Sequence, residues 1–332
     1  MLETRRLIAV FVAASVLLGA SPRDVAATPL TLLADSLRDT SMQIGKDMAA
    51  LVAGPADVEL EVLPSIATDS LRRLRYEPSV QLAIVHAEIY QAALDAAARG
   101  DVEATDIVRA LRVVMPLHHE ELLFIVRADS ELAFVDEIRD ARLNLGEQGS
   151  GTAQATEAFY RLLFDAPPPA SSTRLSPDEA LVKLITDRSV DVVAVVAGQP
   201  SPLLAGMKPE ARKFVKLLRW SPRHPSSERL YMKYRPMVVR ARSYPNLLAE
   251  DLPALGVRSV LFVNDHESKA SRDALARFAR SLCRNLPLLK AQGHPKWREV
   301  NDALPDLGAG WVYHPATSKE INLCIADRLS PK

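Results

Sequence analysis

Apolar and polar positions along this chain follow two periods, and the switches between them mark its elements. LTLLA (Leu30 to Ala34) is a short apolar run of strand type. The polar turn DSLRDTS follows, then a helical pattern from about Met42 to Val52 with Ile44, Met48, Leu51 and Val52 on one face, stopped by Gly54 and Pro55. VELEVLP (Val58 to Pro64) alternates with period two, SIATDSLRRL turns into a helix, VQLAIVH (Val80 to His86) is a buried strand, and EIYQAALDAAAR is a helix closed by Gly100. This βαβαβα order predicts a parallel sheet flanked by helices.

The pattern then recurs. ELLFIVRA (Glu121 to Ala128) and ARLNLG (Ala141 to Gly146) predict strands, and LGEQGSGTAQATEAFYRLL (Leu145 to Leu163) is a glycine-rich turn that launches a helix to about Phe164. DAPPPASST is a surface connection, and Ser176-Pro177-Asp178-Glu179 is a capping box with proline at the first helical position. VDVVAVVAG (Val190 to Gly198) is apolar enough to be a central strand covered on both faces. RKFVKLLRW, RPMVVRA and VRSVLFVN (Val257 to Asn264) predict further strands, and a long helix from about Lys269 to Leu289 is interrupted at Pro287. Two α/β units joined by crossing strands near Leu122–Arg127 and Ser259–Asn264 predict a bilobed protein with a cleft, although two consecutive domains would write a similar string.

Charge and composition narrow the class. Arg5 and Arg6 precede LIAVFVAASVLLGA (Leu7 to Ala20), which has the length of an export-signal core and is short for a bilayer span. Cleavage after Ala27 is expected, with Ala20 as the competing site and an uncleaved anchor or a buried helix as the alternative. Export would let Cys283 and Cys324 pair, closing a loop of about 40 residues worth roughly 4 kcal/mol; two separately buried thiols are the alternative. Lys+Arg and Asp+Glu both number 41, so the bulk charge lacks the footprint of a nucleic-acid binder.

The glycine turn reads Gly146-x-x-Gly149-Ser150-Gly151-Thr152. A phosphate-binding loop of Walker type needs lysine where Gly151 stands, and a dinucleotide fingerprint needs a third glycine where Gln154 stands. What remains is a helix start whose free N–H groups and hydroxyls suit an anion, or a turn that merely caps its helix. His118-His119-Glu120-Glu121 has the residue types of a metal cluster but not the spacing, since neighbours on a strand point to opposite faces; it is expected as polar residues entering a strand. His86 and Glu88 end a buried strand, where open α/β sheets bind ligands, and a satisfied buried histidine fits equally. No nucleophile elbow or cofactor motif is present, so neither catalysis nor a cofactor is expected.

VDEIRDARLNLGEQGSGTAQATEAFYRLL (Val135 to Leu163) resembles the TAXI family of TRAP-associated solute receptors, whose pattern here runs "DL-GK-v-lG-pGSGT"; Asp136, Ile138, Leu145, Gly146 and Gly149 to Thr152 match it. LEVLPSIATDSLRRL, LAIVHAEIY, ARSYPNLLAEDLPALGVRSVLFV and VYHPATSKEI are similar to four further family segments, in order. The resemblance implies an α/β, two-lobed type II periplasmic-binding-protein fold: each lobe a mostly parallel sheet flanked by helices, with two hinge strands. With the export signal read above as 1–27, it implies a first lobe from 28–125 and 260–332 and a second lobe from 126–259. It also implies a monomeric periplasmic receptor that hands a small, anionic organic solute to separate TRAP membrane subunits. A sensor reporting to a membrane partner, or an enzyme on the same fold, are the alternatives. The expected contacts are Gly149, Ser150, Gly151, Thr152 and Gln199 from the second lobe, and Ser36, Arg38, Ser65, Thr68 and His86 from the first. The chain departs from the family in its first-lobe loops: ADSLRDTSMQ has no glycine, SIATDS lacks the usual GS, and Glu88 replaces an aspartate.

Overall fold

The computed structural model describes residues 27–36, 39–265 and 268–329. The expected signal segment, up to residue 26, and Arg38 lie outside the described residues. In chain order the elements are β1 (Thr28–Ala34), α1 (Thr40–Met48), β2 (Val58–Pro64), α2 (Ala67–Tyr76), β3 (Leu82–His86), α3 (Ala87–Ala98), α4 (Val102–Ala110), β4 (Leu111–Arg127), β5 (Leu143–Asn144) and α5 (Gly151–Phe164). There follow α6 (Pro177–Ile185), β6 (Val192–Ala197), α7 (Pro202–Ala205), β7 (Val215–Leu217), α8 (Ser227–Tyr231), β8 (Arg235–Val239), β9 (Leu252–Asn264), α9 (Lys269–Gln292) and α10 (Pro315–Leu329).

The strands form one mixed sheet in the order β2-β1-β3-β9-β4-β6-β5, with β7 added to β4 and β8 to β9. Pairing is parallel in β1/β2, β1/β3 and β5/β6 and antiparallel in every pair that includes β4 or β9, so the sheet is not mostly parallel. Strand periodicity explains the apolar runs: in β9, Leu261 and Val263 enter a cluster with Ile44, Phe278 and Trp297, while Val260 and Phe262 enter the cluster of Leu74, Val85 and Tyr90 on the opposite face. β4 and β6 do the same farther along, sending Phe124 and Ala194 to one side with Phe159 and Trp220, and Ile125, Val193 and Val195 to the other with Tyr244. Strands sandwiched in this way need both faces apolar.

β4 corrects one reading. His118 to Glu121 do not enter a strand; they lie in the middle of a 17-residue one, each 6% exposed or less. The apolar run Leu111 to Leu117 belongs to the same strand, and register shifts against β9 near Val113 and Pro116 break its alternation. Proline, which has no N–H for the ladder, sits at such an irregularity.

Pro287 does not interrupt α9, which continues to Gln292. Proline cannot donate to the carbonyl one turn back, at Cys283, and Arg328 of α10 donates to that carbonyl instead at 3.3 Å. Cys283 and Cys324 are joined in a disulfide that ties the same two helices together. No helix among the described residues is long and apolar enough to cross a membrane.

Candidate functional site

The loops that follow β1, β2 and β3 meet the start of α5 and the end of β6. Ser150 caps α5, its Oγ accepting from the Ala153 N–H at 3.1 Å, and Thr152 Oγ1 accepts from the Val196 N–H at 3.1 Å, fixing the helix to β6. Both hydroxyls therefore have structural partners already. Gly149 has a positive φ of 80° and its carbonyl accepts from the Thr68 N–H at 3.1 Å. A Cβ on Gly151 would lie 2.6 Å from His86 Nδ1 and 3.0 Å from Asp35 Oδ2, so only glycine fits there.

From the opposite wall, Asp35 reaches the helix start. Its Oδ2 accepts from the Gly151 N–H at 3.2 Å and its Oδ1 from the Ser36 N–H at 2.9 Å, while its own N–H donates to Ser41 Oγ at 3.0 Å. The backbone donor expected to meet a solute anion is thus met by a carboxylate of the chain itself, in the direction that the helix dipole favours.

Behind Asp35, His86 is buried, with Nε2 3.2 Å from Glu120 Oε2. Glu120 also pairs with His118 Nε2 at 2.9 Å and accepts from Ser259 Oγ at 3.4 Å, so its carboxylate ties β3, β4 and β9 together. Burial opposes charge on His86, but the Glu120 carboxylate, with Asp39 and Glu88 beyond it, outweighs burial and pushes the imidazole up to about 10. Burial also pushes the Glu88 carboxyl up to about 7, and burial together with Arg258 brings His119 down to about 3. His86 Nδ1, facing Gly151, has no hydrogen-bond partner among the described residues.

A second polar link lies at the other end of this surface. Lys296, 1% exposed, places Nζ 2.6 Å from Glu121 Oε1 and 2.8 Å from Glu299 Oε1. Glu121 accepts from the Gln199 N–H at 3.0 Å and from Gln199 Nε2 at 2.8 Å. Gln199 Oε1 in turn accepts from the Arg240 N–H and Ser243 Oγ, so its amide is occupied internally. Alongside, the Gly198 N–H donates to Thr40 Oγ1 at 2.9 Å.

Of the expected contacts, His86, Thr68, Gly149 and Gly151 come together, and Ser150 and Thr152 border them. Gln199 joins the Glu121 link, Ser36 is exposed beside Asp35, and Ser65 accepts from Ser70 Oγ at 3.0 Å. Asp35, Thr40, Glu121 and Lys296 were not singled out as contacts. The signal for Asp35 was its place directly after β1, since the carboxyl ends of parallel strands are where such sheets meet ligands. No group of three or more His, Cys, Asp or Glu placed to hold a metal occurs among the described residues.

These strands, loops and helix starts define a two-lobed α/β protein of the periplasmic-binding-protein fold, a reading supported by comparison with solved structures. The periplasmic binding protein BugD superposes with a TM-score of 0.51 at 11% identity, covering 90% of this chain and 95% of its own. A TctC solute binding protein from Polaromonas aligns over 92% of this chain and 100% of its own at 13% identity with a TM-score of 0.47. The arginine-, lysine-, histidine-binding protein ArtJ from Geobacillus stearothermophilus aligns over 84% and 98% at 11% identity with a TM-score of 0.48. At these identities the likeness concerns the fold alone, and the BugD superposition carries it. The chain belongs to the NMT1-like family, which it matches over residues 40–319. No curated protein matches it.

Proposed function

We propose that this chain is an exported solute-binding receptor of the TAXI type, which captures a small carboxylate or amino acid between its lobes and delivers it to TRAP-type membrane subunits. The first lobe comprises 28–125 with 260–332 and the second 126–259, and closure is about β4 and β9. The observation that carries the reading is the meeting of the α5 start with His86: the Gly151 N–H bonds to Asp35, and the same glycine packs against a buried imidazole nitrogen that has no partner among the described residues. Helix starts and imidazole N–H groups are donors suited to a carboxylate, and a solute that prefers the closed state shifts the population toward it.

The test is mass spectrometry of solute co-purified from the periplasm, followed by thermal-shift titration with organic acids and amino acids. The expected result is one chemical class that raises the melting temperature and is recovered unchanged. Stabilisation by none of them defeats the reading, and turnover of the bound compound replaces it with an enzyme.

A further inference from the structure

We propose that Asp35 is an internal competitor of the solute: its carboxylate holds the place at the start of α5 that a solute carboxylate takes when the receptor is loaded. The inference rests on the receptor reading above and adds to it a residue that sets when the cleft is occupied.

Three observations converge on one point. The Asp35 Oδ2 to Gly151 N–H bond joins residues 116 positions apart, across the two walls. The same glycine faces His86 Nδ1, which belongs to a side chain only 6% exposed and has no partner among the described residues. An imidazole whose Nε2 already serves Glu120 has one remaining nitrogen to satisfy, and a carboxylate with two oxygens could engage both that nitrogen and the Gly151 N–H. Asp35 engages Gly151 with one oxygen and spends the other on its neighbour Ser36.

Asp35 is also built to leave. It is half-buried, and among the described residues its carboxylate bonds to Gly151 across the two walls and to Ser36 in its own turn. A second carboxylate beside it is disfavoured, because burial and the Glu120 carboxylate already oppose ionisation of Asp35. Solute and Asp35 therefore alternate on one set of donors, so an empty receptor closes on its own side chain and a carboxylate solute binds by exchange.

Formate tests this through the missing group. Asp35→Ala deletes the carboxylate and leaves room for formate, so sodium formate is expected to raise the melting temperature of that variant saturably, relative to equal sodium chloride, and to leave the wild type unchanged. Asp35→Asn keeps the shape without the charge and guards against a folding defect; acetate is expected to bind it about tenfold more tightly than it binds the wild type, the worth of one charge-assisted hydrogen bond. If neither variant responds to formate or acetate beyond chloride, or the wild type responds equally, the competitor is refuted. A wild type that binds a solute tightly while both variants ignore formate and acetate refutes the competitor and leaves the receptor reading standing. Formate rescue with no solute bound by any form refutes the receptor reading instead.

Discussion

Two carboxylates link distant segments of the chain, and they are held in opposite ways. Glu121 is fully buried, and its oxygens are matched by Lys296, the Gln199 amide and the Gln199 backbone N–H. Asp35 is half-buried, bonds among the described residues to the start of α5 and to its neighbour Ser36, and stands near a buried imidazole nitrogen with no partner among the described residues. A buried charge whose donors are all supplied is costly to disturb and works as a fixture. One at the rim, next to an unmet polar atom, can be exchanged, and an unmet buried atom marks where a partner is wanted.

Removing the fixture gives the largest expected effect. Glu121→Ala leaves the buried Lys296 ammonium with Glu299 as its one carboxylate partner among the described residues and strips the Gln199 amide and N–H of their acceptor, and such a loss costs about 3 kcal/mol, read as a lower urea midpoint. Glu121→Gln with Lys296→Met removes both charges and is expected to restore much of that stability; equal loss in both variants would mean the link works through packing alone.

A control lies away from the cleft: Cys283→Ser with Cys324→Ser frees α9 from α10 and should cost about 4 kcal/mol on the chain-entropy view. Solute affinity is expected to stay unchanged in the folded variant, and a loss of affinity would show that this helix pair transmits to the cleft.

The His86–Glu120 pair predicts a pH dependence. A histidine raised from its ordinary value to about 10 contributes stability that is complete below about pH 6.5 and fades as pH rises through 10. His119, lowered to about 3, has finished titrating well before this range, but Glu88, raised to about 7, is half-ionised at pH 7 and finishes about one unit higher, so the fall above about pH 8 belongs to His86. Denaturation midpoints between about pH 8 and 10 should decline in the wild type and flatten in His86→Gln; parallel curves would place the titrating group elsewhere.

The smallest expected change is in the exchangeable carboxylate itself. Asp35→Asn should lose only about 1 kcal/mol, since burial already raises the carboxyl above its usual range and the amide oxygen can still accept from Gly151. A loss as large as that of Glu121→Ala would erase the distinction between the two.

Much of this was legible along the chain because its causes are local. The period-two run of β2, the apolar block of β6, the capping box at Ser176 and the serine cap of α5 each follow from residues within a few positions, and each is present. β4 was only half legible: its register shifts break the alternation, and four polar residues in its middle look like a boundary when their partners are unknown. Asp35 was illegible for the same reason, since DSLRDTS is an ordinary polar turn until the helix start 116 positions away is placed against it.

The sequence by itself determined most of the strands and helices and the glycines that shape the α5 turn, because propensity, capping and hydrophobic period act between near neighbours, while it left two lobes and two consecutive domains both open. Only the tertiary structure decided that His118 to Glu121 are buried, that Glu121 is fully matched, and that Asp35 takes the donor expected for a solute. Those facts depend on desolvation and pairing between distant segments, where the energy of a charge is set by what surrounds it rather than by what precedes it.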